Sequence, residues 1–200
     1  RETLLRRYDK ASRITLFVTG LISFSLIFFG YPLLVFWISP VAAKGTWGTL
    51  VLLSLGFWLS ASVSTSYNIG VACRQPKPLL KLSVLSLFIY LPVIYIMINL
   101  WGIEGAAAAW LLLNTAYVLV IIPMVHWRIL KIPFTPWLCH IFLPYFLLGI
   151  IVFGCARLLA NYLILPLELE LLILFLTVFV YLWIGFFLLG AAVRTDIVNI

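Results

Sequence analysis

Charge is what this chain lacks. Only 10% of its 200 residues are Asp, Glu, Lys or Arg, while 65% are hydrophobic, and the mean hydropathy is +1.21. A soluble domain needs about 25% charged residues to cover its surface, so a soluble fold is excluded. Histidine is nearly absent too: there are two, and neither has a carboxylate close by in sequence. Acid–base and nucleophilic chemistry need such placed groups, and the pattern offers none. The three cysteines, Cys73, Cys139 and Cys155, are far apart and lack metal-ligand spacing, so they read as small membrane residues and no cofactor or metal is expected. A basic-then-apolar leader is also missing. The chain opens at Arg1 on a charged segment, and we expect it to be a piece of a longer protein taken up just before a new span.

What is present is apolar length. Windows long enough to cross a bilayer's hydrocarbon, about 20 residues each, fall at 14–38, 47–73, 79–101, 103–125, 137–160 and 171–193. The expected fold is all-α: a single polytopic membrane bundle of six transmembrane helices, with both termini cytoplasmic. The joints carry turn residues such as Ser39-Pro40, Gln75-Pro76-Lys77-Pro78 and Gly102 to Gly105. Net charge is +7, but its distribution argues against a nucleic-acid partner. If alternate joints lie on alternate sides, eleven of the 13 basic residues fall on one side. They are Arg1, Arg6, Arg7, Lys10, Arg13, Arg74, Lys77, Lys81, Arg128, Lys131 and Arg194. Only Lys44 and Arg157 fall on the other, with Glu104, Glu168 and Glu170. Basic loops stay cytoplasmic, so this split supports both the span count and the orientation.

Within the spans formal charge is almost absent. An ionised group at mid-bilayer costs roughly 2.5–3.5 kcal/mol on insertion scales, and the chain places no proton relay there. Uncharged polar residues instead form stripes at helical spacing: Ser60, Ser64, Tyr67 and Asn68 on the second span, and Ser83, Ser86 and Tyr90 on the third. The fourth carries Trp110, Asn114 and Tyr117. Lipid offers no hydrogen-bond partner, so these stripes read either as glue between helices or as the lining of a hydrated crevice. Thr177 and Tyr181 are the main polar groups of the sixth span, which reads as peripheral. His126 and His140 read as interfacial and hydrogen-bonded. Pro32, Pro92, Pro123 and Pro144 lie within or at the ends of spans, where each is expected to kink its helix.

The stretch Gly102-Ile103-Glu104-Gly105 is short enough only for a tight hairpin, with Glu104 in water on the non-cytoplasmic side. Gly105 and Ala109 form a small-xxx-small pair that lets a partner helix approach closely. Trp110 follows at a depth that fits the interfacial aromatic belt.

Residues 67–114, YNIGVACRQPKPLLKLSVLSLFIYLPVIYIMINLWGIEGAAAAWLLLN, resemble bacterial polysaccharide flippases of the Wzx, O-antigen type. These belong to the multidrug/oligosaccharidyl-lipid/polysaccharide transporter superfamily. The features that carry the resemblance are a span ending in a basic, Pro-containing loop, then a span with a central proline, Pro92. A Gly-Ile-x-Gly-Ala-Ala-x-Ala-Trp hairpin, Gly102 to Trp110, follows. The resemblance implies that this chain forms the last six of about fourteen spans in the bacterial inner membrane. It further implies flipping of a polyprenyl-diphosphate-linked oligosaccharide by alternating access, with membrane lipids and polysaccharide-assembly proteins as further partners. On that reading Ser64, Tyr67, Asn68, Ser86, Tyr90, Asn114 and Tyr117 line one wall of the substrate path. Arg74, Lys77 and Lys81 meet the diphosphate or anionic lipid, although topology alone also accounts for that basic loop. Gly102, Glu104 and Gly105 form the external hairpin. The rival readings are a drug exporter or peptidoglycan-precursor flippase of the same superfamily, a membrane-embedded glycosyl- or acyltransferase, and a non-transporting scaffold.

Overall fold

A computed structural model describes the backbone of residues 2–198 and the side chains of residues 2–190. Arg1 and Arg194, both assigned to the basic side above, lie outside these side chains. The described residues are helical with no strand. The elements are α1 (Glu2–Trp37), α2 (Pro40–Ala72), α3 (Pro76–Met124), a π-helical turn (Val125–Leu130) and α4 (Phe134–Trp137). A second π turn (Leu138–Phe142), α5 (Leu143–Tyr162) and α6 (Leu167–Val198) complete the chain.

Five helical runs among the described residues are long and apolar enough to cross a membrane, one fewer than expected. The difference lies in α3. Its 49 residues run on through the third and fourth expected spans, and a straight helix of that length would be about 73 Å long, more than twice a bilayer's hydrocarbon. It is not straight. Gly102 leaves helical geometry, at φ 58 and ψ −132, and the two arms fold back on one another. Ser86 on the first arm is hydrogen-bonded to Tyr117 on the second. A Cβ on Gly105 would meet the Met97 carbonyl oxygen at 1.9 Å, so only glycine lets the arms close this tightly. The chain is a multi-pass membrane helix bundle in which α3 supplies two arms.

Capping and turn residues set the other boundaries. Ser39 caps α2 by accepting the Ala42 N–H at 3.2 Å, and Pro40 occupies the first turn, where no N–H is needed. Arg74, Lys131 and Ile164 adopt left-handed dihedrals where their helices reverse. Pro32, Pro92 and Pro123 lie within helices. Pro123 precedes the first π turn, and Pro144 follows the second.

At the centre stands α1, packed against α2, α5 and α6, while the α3 hairpin joins the bundle principally through α2. Two successive α1 carbonyls are held from opposite sides. Trp58 of α2 donates its indole N–H to Leu16 O at 3.1 Å, and Tyr181 of α6 donates its hydroxyl to Phe17 O at 3.1 Å. Both donors reach the backbone over Gly20, where a Cβ would lie 2.7 Å from the Tyr181 hydroxyl and 3.3 Å from the Trp58 nitrogen. The sixth span therefore does not stand apart as a peripheral helix. Tyr181 is fully buried and stacks on Phe17, which in turn sits where Gly185 has no side chain.

The ends of the bundle are distinct. One gathers Tyr8, Ser66, His126 and Trp137 with the basic loops. At the other, Arg157 of α5 pairs with Glu170 of α6 at 2.8 Å and lies over the Phe29 ring of α1. Glu168 is exposed, as its offset of two from Glu170 predicts.

Candidate functional site

The polar side chains singled out from the sequence fall on separate surfaces rather than one wall. Ser86, Tyr90 and Tyr117 share a crevice between the arms of α3, with a volume of about 360 Å³. Its remaining lining is aliphatic. Two of the three hydroxyls are occupied in series: Tyr117 donates to Ser86 Oγ at 2.5 Å, and Ser86 donates to the Ser83 carbonyl at 2.8 Å. Asn114 is on the same arm but buried, donating its amide to Trp110 O at 2.9 Å within its own helix. Tyr67 is half-buried against the core.

Ser64 belongs to a different groove. It lines a recess of about 340 Å³ between α1 and α2, together with Ser60, Thr19 and Ser23. Asn68, one turn nearer the basic end, is exposed. Ser64 is exposed as well, Thr19 and Ser60 are half-buried and Ser23 is buried. The Thr19 hydroxyl donates to Thr15 O at 2.6 Å within its own helix.

The basic loop is fully accessible, with Arg74, Lys77 and Lys81 all exposed. At the opposite end Gly102 forms the turn, Gly105 is buried against the first arm, and Glu104 is exposed with a carboxylate oxygen against Gly48 of α2. Trp110, read from the sequence as a belt residue, is packed against α2. Its indole fills the notch at Gly56, where a Cβ would lie 2.7 Å away, and its ring tilts against Phe57. The helix–helix contact takes this ring because the glycine leaves room for it.

Two groups were missed. The buried hydroxyl row of α2 is Ser54, Ser62 and Ser66, with Trp58 between them, and not the Ser60–Ser64–Asn68 face. Ser66 pairs with Tyr8 of α1 at 2.7 Å, and Ser62 donates to its own Leu59 carbonyl. Their four-residue spacing was visible, but it looked no different from that of the exposed row. The second is His126. Hydrogen bonding was expected and is found, from Nδ1–H to Ile122 O at 2.8 Å, and the ring is wholly buried by protein at the end of the bundle that carries the basic loops. Tyr8, Phe134 and Trp137 surround it edge to face, and its Nε2 has no hydrogen-bond partner among the described residues. The ring belongs to the π turn Val125–Leu130, a distortion frequent at functional sites. His140 is exposed, and its Nδ1 bonds the Pro136 carbonyl at 3.0 Å.

Among the described residues no group of three or more His, Cys, Asp or Glu is arranged to hold a metal. No protein-family model, curated protein or solved structure matches this chain.

Proposed function

We propose that this chain is part of a carrier that flips a polyprenyl-diphosphate-linked oligosaccharide across a bacterial inner membrane. The observation that carries this reading is the polar strip on α2, with half-buried Ser60 and exposed Ser64 and Asn68, beside the α1 recess. Hydrocarbon cannot satisfy hydroxyl and amide groups, so a strip of this kind needs water, a sugar or further protein against it. A sugar chain presents many matching donors and acceptors, and a hydrated cavity between two helical lobes would shelter it during crossing. The resemblance of residues 67–114 to polysaccharide flippases supports the same reading. The tight hairpin around Gly102 adds to it, since a closed, rigid pair of arms can move as one body.

On this reading Ser64 and Asn68 contact the sugar. Ser86 and Tyr117 hold the hairpin, and the exposed Arg74 and Lys77 receive the diphosphate at the cytoplasmic mouth. The test is complementation. The full-length protein, expressed with its matching substrate genes in a strain lacking its own flippase, restores surface polysaccharide. Ser64→Leu/Asn68→Leu inserts normally yet restores much less. Absence of rescue by the unaltered protein overturns the proposal, and full rescue by the double variant removes the strip from the path.

A further inference from the structure

We propose that the crevice between the two arms of α3 is a binding site for an anionic phospholipid of the phosphatidylglycerol type. The inference goes beyond the transport reading and does not rest on it. Within the membrane, the crevice is walled by Leu82, Leu85 and Ile89 on one arm and Leu112 and Val120 on the other. Toward the basic end it runs into a second recess of about 560 Å³ that shares Leu82, Leu85 and Val120. The mouth of that recess carries Lys81, Trp127 and Arg128.

The chemistry of this channel changes along its length as a lipid's does. Below, the slot is predominantly apolar. The Ser86 and Tyr117 hydroxyls are already bonded to each other and to the Ser83 carbonyl, which leaves the Tyr90 phenol as the one other polar group among aliphatic side chains. Above, two exposed cations approach from different arms, Lys81 at the start of the first and Arg128 in the π turn after the second. Basic pockets between transmembrane helices on the positively charged side bind anionic head groups in this way. Trp127 beside them is exposed, and tryptophan is the residue type enriched at headgroup boundaries. Inorganic phosphate would use the cations and leave the slot empty. A zwitterionic head group brings its own ammonium against Lys81 and Arg128. An anionic lipid satisfies both parts, with its phosphate between the cations and one acyl chain along the slot.

Native mass spectrometry of the delipidated full-length protein, titrated with dioleoyl phosphatidylglycerol or dioleoyl phosphatidylcholine, reads this directly. The unaltered protein should hold phosphatidylglycerol about tenfold more tightly, the effect expected of one to two well-placed cations. Lys81→Gln/Arg128→Gln should abolish the preference, Lys81→Arg/Arg128→Lys should keep it, and Val120→Trp, which fills the slot, should weaken both lipids. Arg6→Gln/Lys10→Gln removes the same charge from α1 at the same end and should leave the preference intact. The proposal is overturned by equal binding of the two lipids, or by an unchanged preference in Lys81→Gln/Arg128→Gln. It is also overturned by an equal loss in Arg6→Gln/Lys10→Gln, or by displacement of bound phosphatidylglycerol by equimolar polyprenyl phosphate.

Discussion

Tyr117 and Ser86 lie 31 residues apart and meet hydroxyl to hydroxyl at 2.5 Å. Gly102 stands almost midway between them, and its dihedrals turn one long helical run into a hairpin. Residues at equal distances from the turn therefore face each other, and one hydroxyl pair closes across the hairpin.

Replacing Gly102 with alanine should destabilise the protein by about 1–3 kcal/mol, because φ 58 with ψ −132 is a region that Cβ-bearing residues avoid. Gly190 is helical and has nothing within 4 Å of its missing Cβ, so Gly190→Ala should be neutral or slightly stabilising. Thermal unfolding in detergent compares the two, and equal effects would remove the special role of the turn.

A second expectation concerns the window over Gly20. Gly20→Ala pushes against the Tyr181 hydroxyl and should cost about 1–3 kcal/mol by stranding a buried donor. In a Tyr181→Phe background that donor is already gone, so the same substitution should cost measurably less. A double-mutant cycle on unfolding midpoints gives the coupling. Strict additivity would count against the arrangement described.

The Arg157–Glu170 pair lies at the end of the bundle away from the basic loops and is only partly exposed. Removing either partner leaves the other charge in a poorly hydrated place, so Arg157→Ala should destabilise by about 1–3 kcal/mol. Arg157→Ala/Glu170→Ala should be milder than Arg157→Ala. If the double variant is the less stable, the interaction is not the one that matters.

Topology has its own test. In a background lacking Cys73, Cys139 and Cys155, cysteines placed at Thr46 and Gln75 should react with a membrane-impermeant maleimide from opposite sides. Thr135→Cys should behave as Gln75→Cys does. Whole cells should label Thr46→Cys alone, since the basic loops stay inside. Labelling of Gln75→Cys in intact cells would reverse the orientation.

The sequence by itself determined the class of molecule, the approximate placing of the apolar helices and the hairpin at Gly102, although α1 and α2 begin 12 and 7 residues before their expected spans. Each follows from a one-dimensional rule: hydrocarbon thickness sets the minimum apolar length, and a glycine between two apolar runs marks the reversal. Tertiary structure alone decided which face of each helix is inward. Ser62 and Ser66 are buried while Ser64 is not, Trp110 turns into the Gly56 notch, and His126 is enclosed by three aromatic rings. In water these choices would be legible as hydrophobic faces. In a bilayer the surroundings are as apolar as the core, so no hydrophobic contrast marks the inner side, and packing against particular glycines and carbonyls settles it instead.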